Sequence, residues 1–311
     1  MAKAKKSTDP AEHIQPLYIN GLNGRVLHFP AKKAGQREIL LLYGSHSSIE
    51  RMMAFAQELN RYGDITLPDW PGFGDMDSLF RIGEKPDLDT MADYLASFVR
   101  MRYKKRRFTV IGMSYGFIVA TRMLQKHPEI AKQVDFIVSI AGFARADDFR
   151  VPRRNFYAMK YGTRIMRHVI PSLLAKLVIR PATIRMTYNA MANRHSKMKG
   201  ADYAERKLRI DFEVNLWRIN DLRTYFYTAN TMFTLDLCKE QVVGVPVYHV
   251  AINSDQFFDN HLVEQHLNVI YPKVTVVKAH LPAHMPTVIA TPKEVAPFFP
   301  AQLRKVLAAK P

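Results

Sequence analysis

Gly112-Met113-Ser114-Tyr115-Gly116, a serine between two glycines, is the residue set in this chain best suited to covalent chemistry. A serine hydroxyl is a poor nucleophile at neutral pH. It needs a base to take its proton and amide N–H groups to receive the oxyanion formed when it attacks a carbonyl. A tight strand-to-helix turn pushes the hydroxyl toward the base and lets neighbouring amides converge. The four residues before Gly112, Phe108-Thr109-Val110-Ile111, are apolar or β-branched, as a buried parallel strand requires. From Phe117 to Leu124 apolar residues continue at helical spacing. Glycine at 112 and 116 removes side chains that would crowd the turn or the packing of helix on strand. The five-residue pattern is short enough to arise by chance, and a strand-to-helix turn without chemistry would share it. The flanking strand and helix are what point to a nucleophile.

With that context the chain resembles the α/β-hydrolase superfamily, over roughly residues 17–145 and 240–308. The segment Glu38-Ile-Leu-Leu-Leu-Tyr43-Gly44-Ser45-His46-Ser47-Ser48 is similar to the strand and loop that members usually write as His-Gly followed by small residues, with Tyr43 in place of the histidine. The resemblance implies an oxyanion hole made by the backbone N–H groups of Ser45 and Tyr115. Backbone donors tolerate side-chain change, so the hole survives this departure. Asp64-Ile-Thr-Leu-Pro-Asp69-Trp70-Pro71-Gly72-Phe73-Gly74 resembles the superfamily's Asp-x-Pro-Gly-x-Gly turn, which shapes the pocket floor. A Pro-Gly turn by itself needs no function. Met113 beside the serine and Trp70 in this turn are candidate substrate contacts.

In the superfamily the orienting acid and then the histidine follow the nucleophile. After the β-rich run Val245–Ile252 comes Asn253-Ser254-Asp255-Gln256-Phe257-Phe258-Asp259. Asp255 sits where the family places its acid, with Ile252 at the position of an expected glycine, and a rigid strand end suits that role. Asp259 is the competitor, and its alternative role is N-cap of a helix beginning near Asn260. The last strand, around Val274–Lys278, leads to Ala279-His280-Leu-Pro-Ala283-His284-Met-Pro286. The family pattern Gly-His-x-Pro favours His284 as the base over His280, with Ala283 in place of the glycine. The implied triad is Ser114, His284 and Asp255, with no metal and no cofactor. His46, His127, His249 and His261 lack metal-ligand spacing and are expected to be surface or polar-core residues.

Residues 146–236 differ in character. Apolar residues recur at helical spacing, as in Leu173, Leu174, Leu177, Val178 and Leu216, Ile219, Leu222, Phe226, with Pro171 and Pro181 as punctuation. The resemblance implies a helical cap, or lid, inserted after the sixth strand. The expected fold is therefore an eight-stranded, mostly parallel α/β sheet with helices on both faces and an α-helical cap. The core would comprise residues 17–145 and 237–311, and residues 1–16 a basic flexible tail. From 151 to 235 sixteen Lys or Arg face five Asp or Glu, a net of plus eleven in a chain whose net charge is +17. Such charge suits a solvated helix face, attraction of anionic substrates or contact with an anionic membrane. No RNA-binding signature accompanies it, so no nucleic acid is expected. Tyr157, Tyr161 and the many methionines of this segment could line an adaptable apolar pocket, with Tyr157 and Tyr161 as candidate substrate contacts.

The length of 311 residues and 48% hydrophobic content allow a full core plus a subdomain. No run of eighteen apolar residues occurs, and the N-terminal charge has no apolar stretch behind it, so a cytoplasmic enzyme is expected. The single Cys238 excludes an intramolecular disulfide. These readings converge on a serine hydrolase of small carboxylic esters with apolar acyl groups, or of lactones such as acyl-homoserine lactones on the same triad. A non-catalytic binding module using the basic cap is the alternative from a different class. Oligomeric state is left open.

Overall fold

Eight strands, each built from the apolar and β-branched runs of the sequence, form one twisted sheet in the computed structural model, which describes residues 10–191, 202–253, 255, 257–279, 281 and 292–310. They are β1 (Ile14–Ile19), β2 (Leu22–Phe29), β3 (Arg37–Leu42), β4 (Gly63–Pro68), β5 (Phe108–Met113), β6 (Val134–Ile140), β7 (Val247–Ile252) and β8 (Val274–Ala279). The spatial order is β1-β2-β4-β3-β5-β6-β7-β8. β2 pairs antiparallel with β1 and β4, and every other pairing is parallel. All six residues of central β5 are buried, which explains a strand without polar alternation.

The helices of the core are α1 (Ile49–Leu59), α2 (Leu88–Tyr103), α3 (Tyr115–Lys126) and the short α4 (Pro128–Ala131), all before β6. Between β6 and β7 lie α5 (Arg153–Met166), α6 (Val169–Val178), α7 (Pro181–Ala190), α8 (Tyr203–Ile219) and α9 (Leu222–Thr234). α10 (Asn260–Ile270) joins β7 to β8, and α11 (Pro292–Val295) and α12 (Ala301–Ala308) follow β8. The eight-stranded, mostly parallel sheet with helices on both faces is the architecture the sequence resemblance implies. Among the described residues no helix is long and apolar enough to cross a membrane.

The helices between β6 and β7 fall into two kinds. α8 and α9 send Ile210, Val214, Leu216, Leu222, Ala229 and Phe233 into buried positions, whereas α5 buries no residue, α6 only Ser172 and α7 only Ile184. α8 is fixed to α1 by the buried ion pair Arg51–Glu213, and the Arg51 guanidinium also lies 5.1 Å from the Phe212 ring centroid.

Candidate active site

The carboxyl ends of four neighbouring strands are stitched together at one edge. Ser114 N–H donates to Ile140 O at 3.0 Å, Ala141 N–H to Val250 O at 3.4 Å and Asn253 N–H to Ala279 O at 3.0 Å. This ladder brings the residue after β5, the turn after β7 and the exit of β8 to the same edge, where ligands bind in open parallel sheets. Backbone conformations uncommon for side-chain-bearing residues gather here. Of the five described non-glycine residues with positive φ, Ser114 (46°), His46 (52°) and Ala141 (48°) follow β5, β3 and β6.

Ser114 sits at the head of α3 with ψ −116° and does not cap the helix with its own side chain. The turn needs its glycines for space. A Cβ on Gly112 would stand 2.7 Å from the Phe117 Cα, and one on Gly116 would stand 2.7 Å from the carbonyl oxygens of Leu42 and Tyr43. α3 can therefore lie directly on β3, and Gly44 then faces the serine. A Cβ built on Gly44 would be 3.4 Å from Ser114 Cβ and 3.9 Å from its Oγ. The amides of Ser45 and Tyr115, which flank these two contact points, donate to no acceptor among the described residues. A strained turn carrying a half-buried serine, with two uncommitted N–H groups beside it, can attack a carbonyl carbon and receive the resulting oxyanion.

The alpha/beta hydrolase fold family model matches residues 34–279, which span this turn and the sheet around it. The chain belongs to the α/β-hydrolase fold family. No curated protein matches its sequence. Among solved structures it is similar to a membrane phospholipase A described as a bacterial virulence factor, at 17% identity over 94% of this chain and 84% of that one, TM-score 0.66. The enol-lactonase from Burkholderia xenovorans LB400 is similar at 13% identity over 94% and 98%, TM-score 0.63. An esterase from Exiguobacterium antarcticum is similar at 15% identity over 84% and 88%, TM-score 0.59. At these identities the likeness is one of fold.

Within this α/β-hydrolase fold the loop after β3 is anchored by Tyr43, at a position where the family usually has histidine. The Tyr43 hydroxyl donates to Asp69 Oδ1 at 2.8 Å and accepts from Trp70 N–H at 2.9 Å, while the Trp70 indole N–H donates to Tyr43 O at 2.9 Å. Asp69 is fully buried and also accepts from Ile49 N–H, Asp75 N–H and the Arg25 guanidinium. Burial pushes its carboxyl up to about 6, which the charge of Arg25 only partly offsets. The Asp-x-Pro-Gly-x-Gly turn thus works as a bracket under the loop. Trp70, a candidate substrate contact from the sequence, is wholly enclosed here, and its indole N–H is committed to Tyr43.

From above, the same loop is held by α8 and α9. Thr228 donates its hydroxyl proton to Tyr225 O, so Ser45 is the donor in the 2.9 Å contact between the Ser45 and Thr228 hydroxyls. The His46 ring packs on Trp217 and Tyr225 with centroids 4.1 and 5.1 Å away, and its Nδ1 lies 3.2 Å from Asn220 Nδ2. Asn220 also accepts from Gly74 N–H at 2.8 Å, and Asp221 N–H donates to Gly72 O at 2.8 Å. Sequence reading missed Asn220 and Thr228 because each lies some 150 to 180 positions from its partner.

Asp255 is buried just beyond β7, and its Oδ1 accepts from Phe257 N–H at 2.8 Å and Phe258 N–H at 3.3 Å. Asp259 caps α10, accepting from His261 N–H and Leu262 N–H, and stands 3.8 Å from Arg150. Both carboxylates thus accept from the amides two and three residues on, Asp255 buried at the strand end and Asp259 partly exposed at the head of α10. His284 and its competitor His280 lie outside the described residues. Met113 is buried within β5. Tyr157 and Tyr161 are half-exposed on α5, with rings 6.2 Å apart, and Tyr157 borders a cavity of about 570 Å³ with Phe149, Phe156, Phe233 and Lys160.

Of the remaining histidines, His249 is buried with its Nδ1 3.0 Å from Ser139 Oγ, and burial lowers its pKa to about 4 against a raising influence of Asp255. Asp147, Asp148 and His266 bring three ligand-type atoms within 4.8 Å of one another. Asp148 already accepts from Ala144 N–H and Arg145 N–H and bonds His266 Nδ1 at 2.5 Å, while Arg145 lies 3.2 Å from Asp147. That arrangement fastens the entry to the α5–α9 segment onto α10. Burial pushes the Cys238 thiol up to about 11, which leaves it largely unionised at neutral pH.

Proposed function

We propose that this chain hydrolyses carboxylic esters through an acyl-enzyme on Ser114, with His284 as base and Asp255 as its orienting acid. The observation that carries the reading is the positive-φ turn at Ser114 packed against Gly44, with the amides of Ser45 and Tyr115 uncommitted beside it. In the first half-reaction the Ser114 hydroxyl proton passes to His284 as Oγ bonds to the carbonyl carbon. The carbonyl oxygen becomes an oxyanion held by the two amides. Collapse breaks the bond to the leaving alcohol, which takes the proton from His284. Water then adds to the acyl-serine with the same histidine as base, releasing the acid and restoring Ser114. Asp255, fixed by two backbone N–H groups, would hold the imidazole in the required tautomer and stabilise its cation.

Hydrolysis of a lactone needs the same groups and differs only in that the leaving alcohol stays tethered to the acid. The likeness to an enol-lactonase across nearly its whole length favours keeping this second reading, and that to a phospholipase A and an esterase supports the first. The α5–α9 segment would serve as a cap, with α9 reaching the oxyanion loop through Thr228. Turnover of p-nitrophenyl esters from acetate to laurate, measured beside Ser114→Ala, tests the proposal. Activity abolished by the substitution supports it, and the best chain length sizes the acyl site. Equal inactivity of both proteins on esters and lactones would leave a binding module as the better account.

A further inference from the structure

Helix α6 is built inside out. Val169, Ile170, Leu173, Leu174, Leu177 and Val178 recur at three- and four-residue spacing and so share one face. That face points to solvent, with each side chain between 49% and 71% exposed, while the residue the helix buries is Ser172. An ordinary surface helix does the reverse. Ile165, 59% exposed near the end of α5, extends the stripe. Soluble proteins rarely leave so continuous an apolar surface without a partner.

The charges around the stripe are of one sign. Residues 151–190 contain eight Lys or Arg and no Asp or Glu. Arg153, Arg154, Arg164, Lys176 and Arg180 are exposed, and none is ion-paired to a described carboxylate. A second copy of this chain meeting the same face would set cation against cation, because an isologous contact repeats one patch on both sides. A bilayer with anionic headgroups complements both features, taking the apolar residues below the headgroups and the cations at the lipid phosphates. Asn230 of α9 donates to Lys160 O and Thr163 Oγ1 of α5, so α5 rests on a firmly held helix while the apolar face of α6 stays turned to solvent.

We propose that α5 and α6 form a peripheral docking surface for anionic lipid bilayers. Docking is independent of the ester chemistry, so it persists in Ser114→Ala. The test is co-sedimentation of the purified full chain with phosphatidylglycerol-containing vesicles and with phosphatidylcholine vesicles, at low and high salt. The chain is expected to sediment with the anionic vesicles, less so at high salt. Leu173→Glu with Leu177→Glu is expected to lower partitioning roughly tenfold or more while turnover of a water-soluble p-nitrophenyl ester stays unchanged, which also shows the variant folded. Arg153→Gln with Arg154→Gln and Arg164→Gln, which leaves the apolar face intact, is expected to weaken binding several-fold on anionic vesicles only. The proposal is overturned if the wild type stays in the supernatant with both vesicles, or if the leucine variant sediments as the wild type does. It is also overturned if the chain is a lipid-indifferent dimer that the leucine substitutions turn into a monomer, which assigns the face to a second copy.

Discussion

Two carboxylates four residues apart follow β7, and burial separates them where bonding does not, since each accepts at Oδ1 from the amides two and three residues on. Asp259 spends its side chain on the first amides of α10, so Asp259→Ala should cost stability by ~1 kcal/mol and leave kcat nearly intact. Asp255 is buried at the strand end, so Asp255→Asn should lower kcat roughly ten-thousand-fold with little change in fold, as measured by circular dichroism and ester turnover together. If the two losses were exchanged, the acid would be Asp259. Tyr43 carries a separate expectation. Tyr43→Phe leaves the buried Trp70 N–H without its acceptor and takes a donor from Asp69, so stability should fall by about 1–3 kcal/mol. Because the same contacts set the Ser45 amide, kcat should also fall, by up to about a hundredfold, with KM less affected. The nucleophile turn was legible in the sequence because its signal is local, five residues with a strand before and a helix after. Tyr43 was visible only as a departure from the family pattern, since its partner Asp69 lies 26 residues away and no local spacing joins them.

At the level of elements, an eight-stranded, mostly parallel sheet was readable from short apolar runs separated by helical ones together with the family resemblance, whereas the strand order and the antiparallel pairing of β2 depend on long-range contacts that no local pattern carries. The helical spacing between β6 and β7 was equally readable. Which of those helices is anchored was not, because the anchors are polar pairs between residues far apart in the chain, Arg51–Glu213 and Ser45–Thr228. The Arg51–Glu213 pair makes that anchoring testable. Glu213→Gln strands a buried guanidinium and should destabilise by about 3–5 kcal/mol, whereas the apolar double replacement Arg51→Met with Glu213→Leu should recover most of the loss in denaturant melts. A Glu213→Gln protein as stable as wild type would mean that α8 is not held to α1 by this pair.

For the molecule as a whole, two buried groups near the active edge respond to acid in opposite senses. His249 stays neutral in the fold, with a pKa near 4 against 6.5 when unfolded. The unfolded chain therefore binds more protons in that window, and the stability this group allows is complete above pH 6.5 and lost as pH falls toward 4. Asp69, raised from 3.8 to about 6, does the reverse: the native state holds the extra proton, so its contribution declines as pH rises through about 4 to 6. The two trends oppose each other in wild type. His249→Gln removes one of them, so the stability of the variant relative to wild type should improve by on the order of 3 kcal/mol between neutral pH and pH near 4, read from paired denaturant melts. A pH-independent difference would show that His249 is not held neutral. All of these features serve one central claim, an activated serine at the head of α3. Its most direct measurement is labelling by a fluorophosphonate followed by peptide mass spectrometry. Stoichiometric modification at Ser114, absent in Ser114→Ala, is the predicted result; a folded protein that stays unlabelled, or is labelled at another residue, would contradict it.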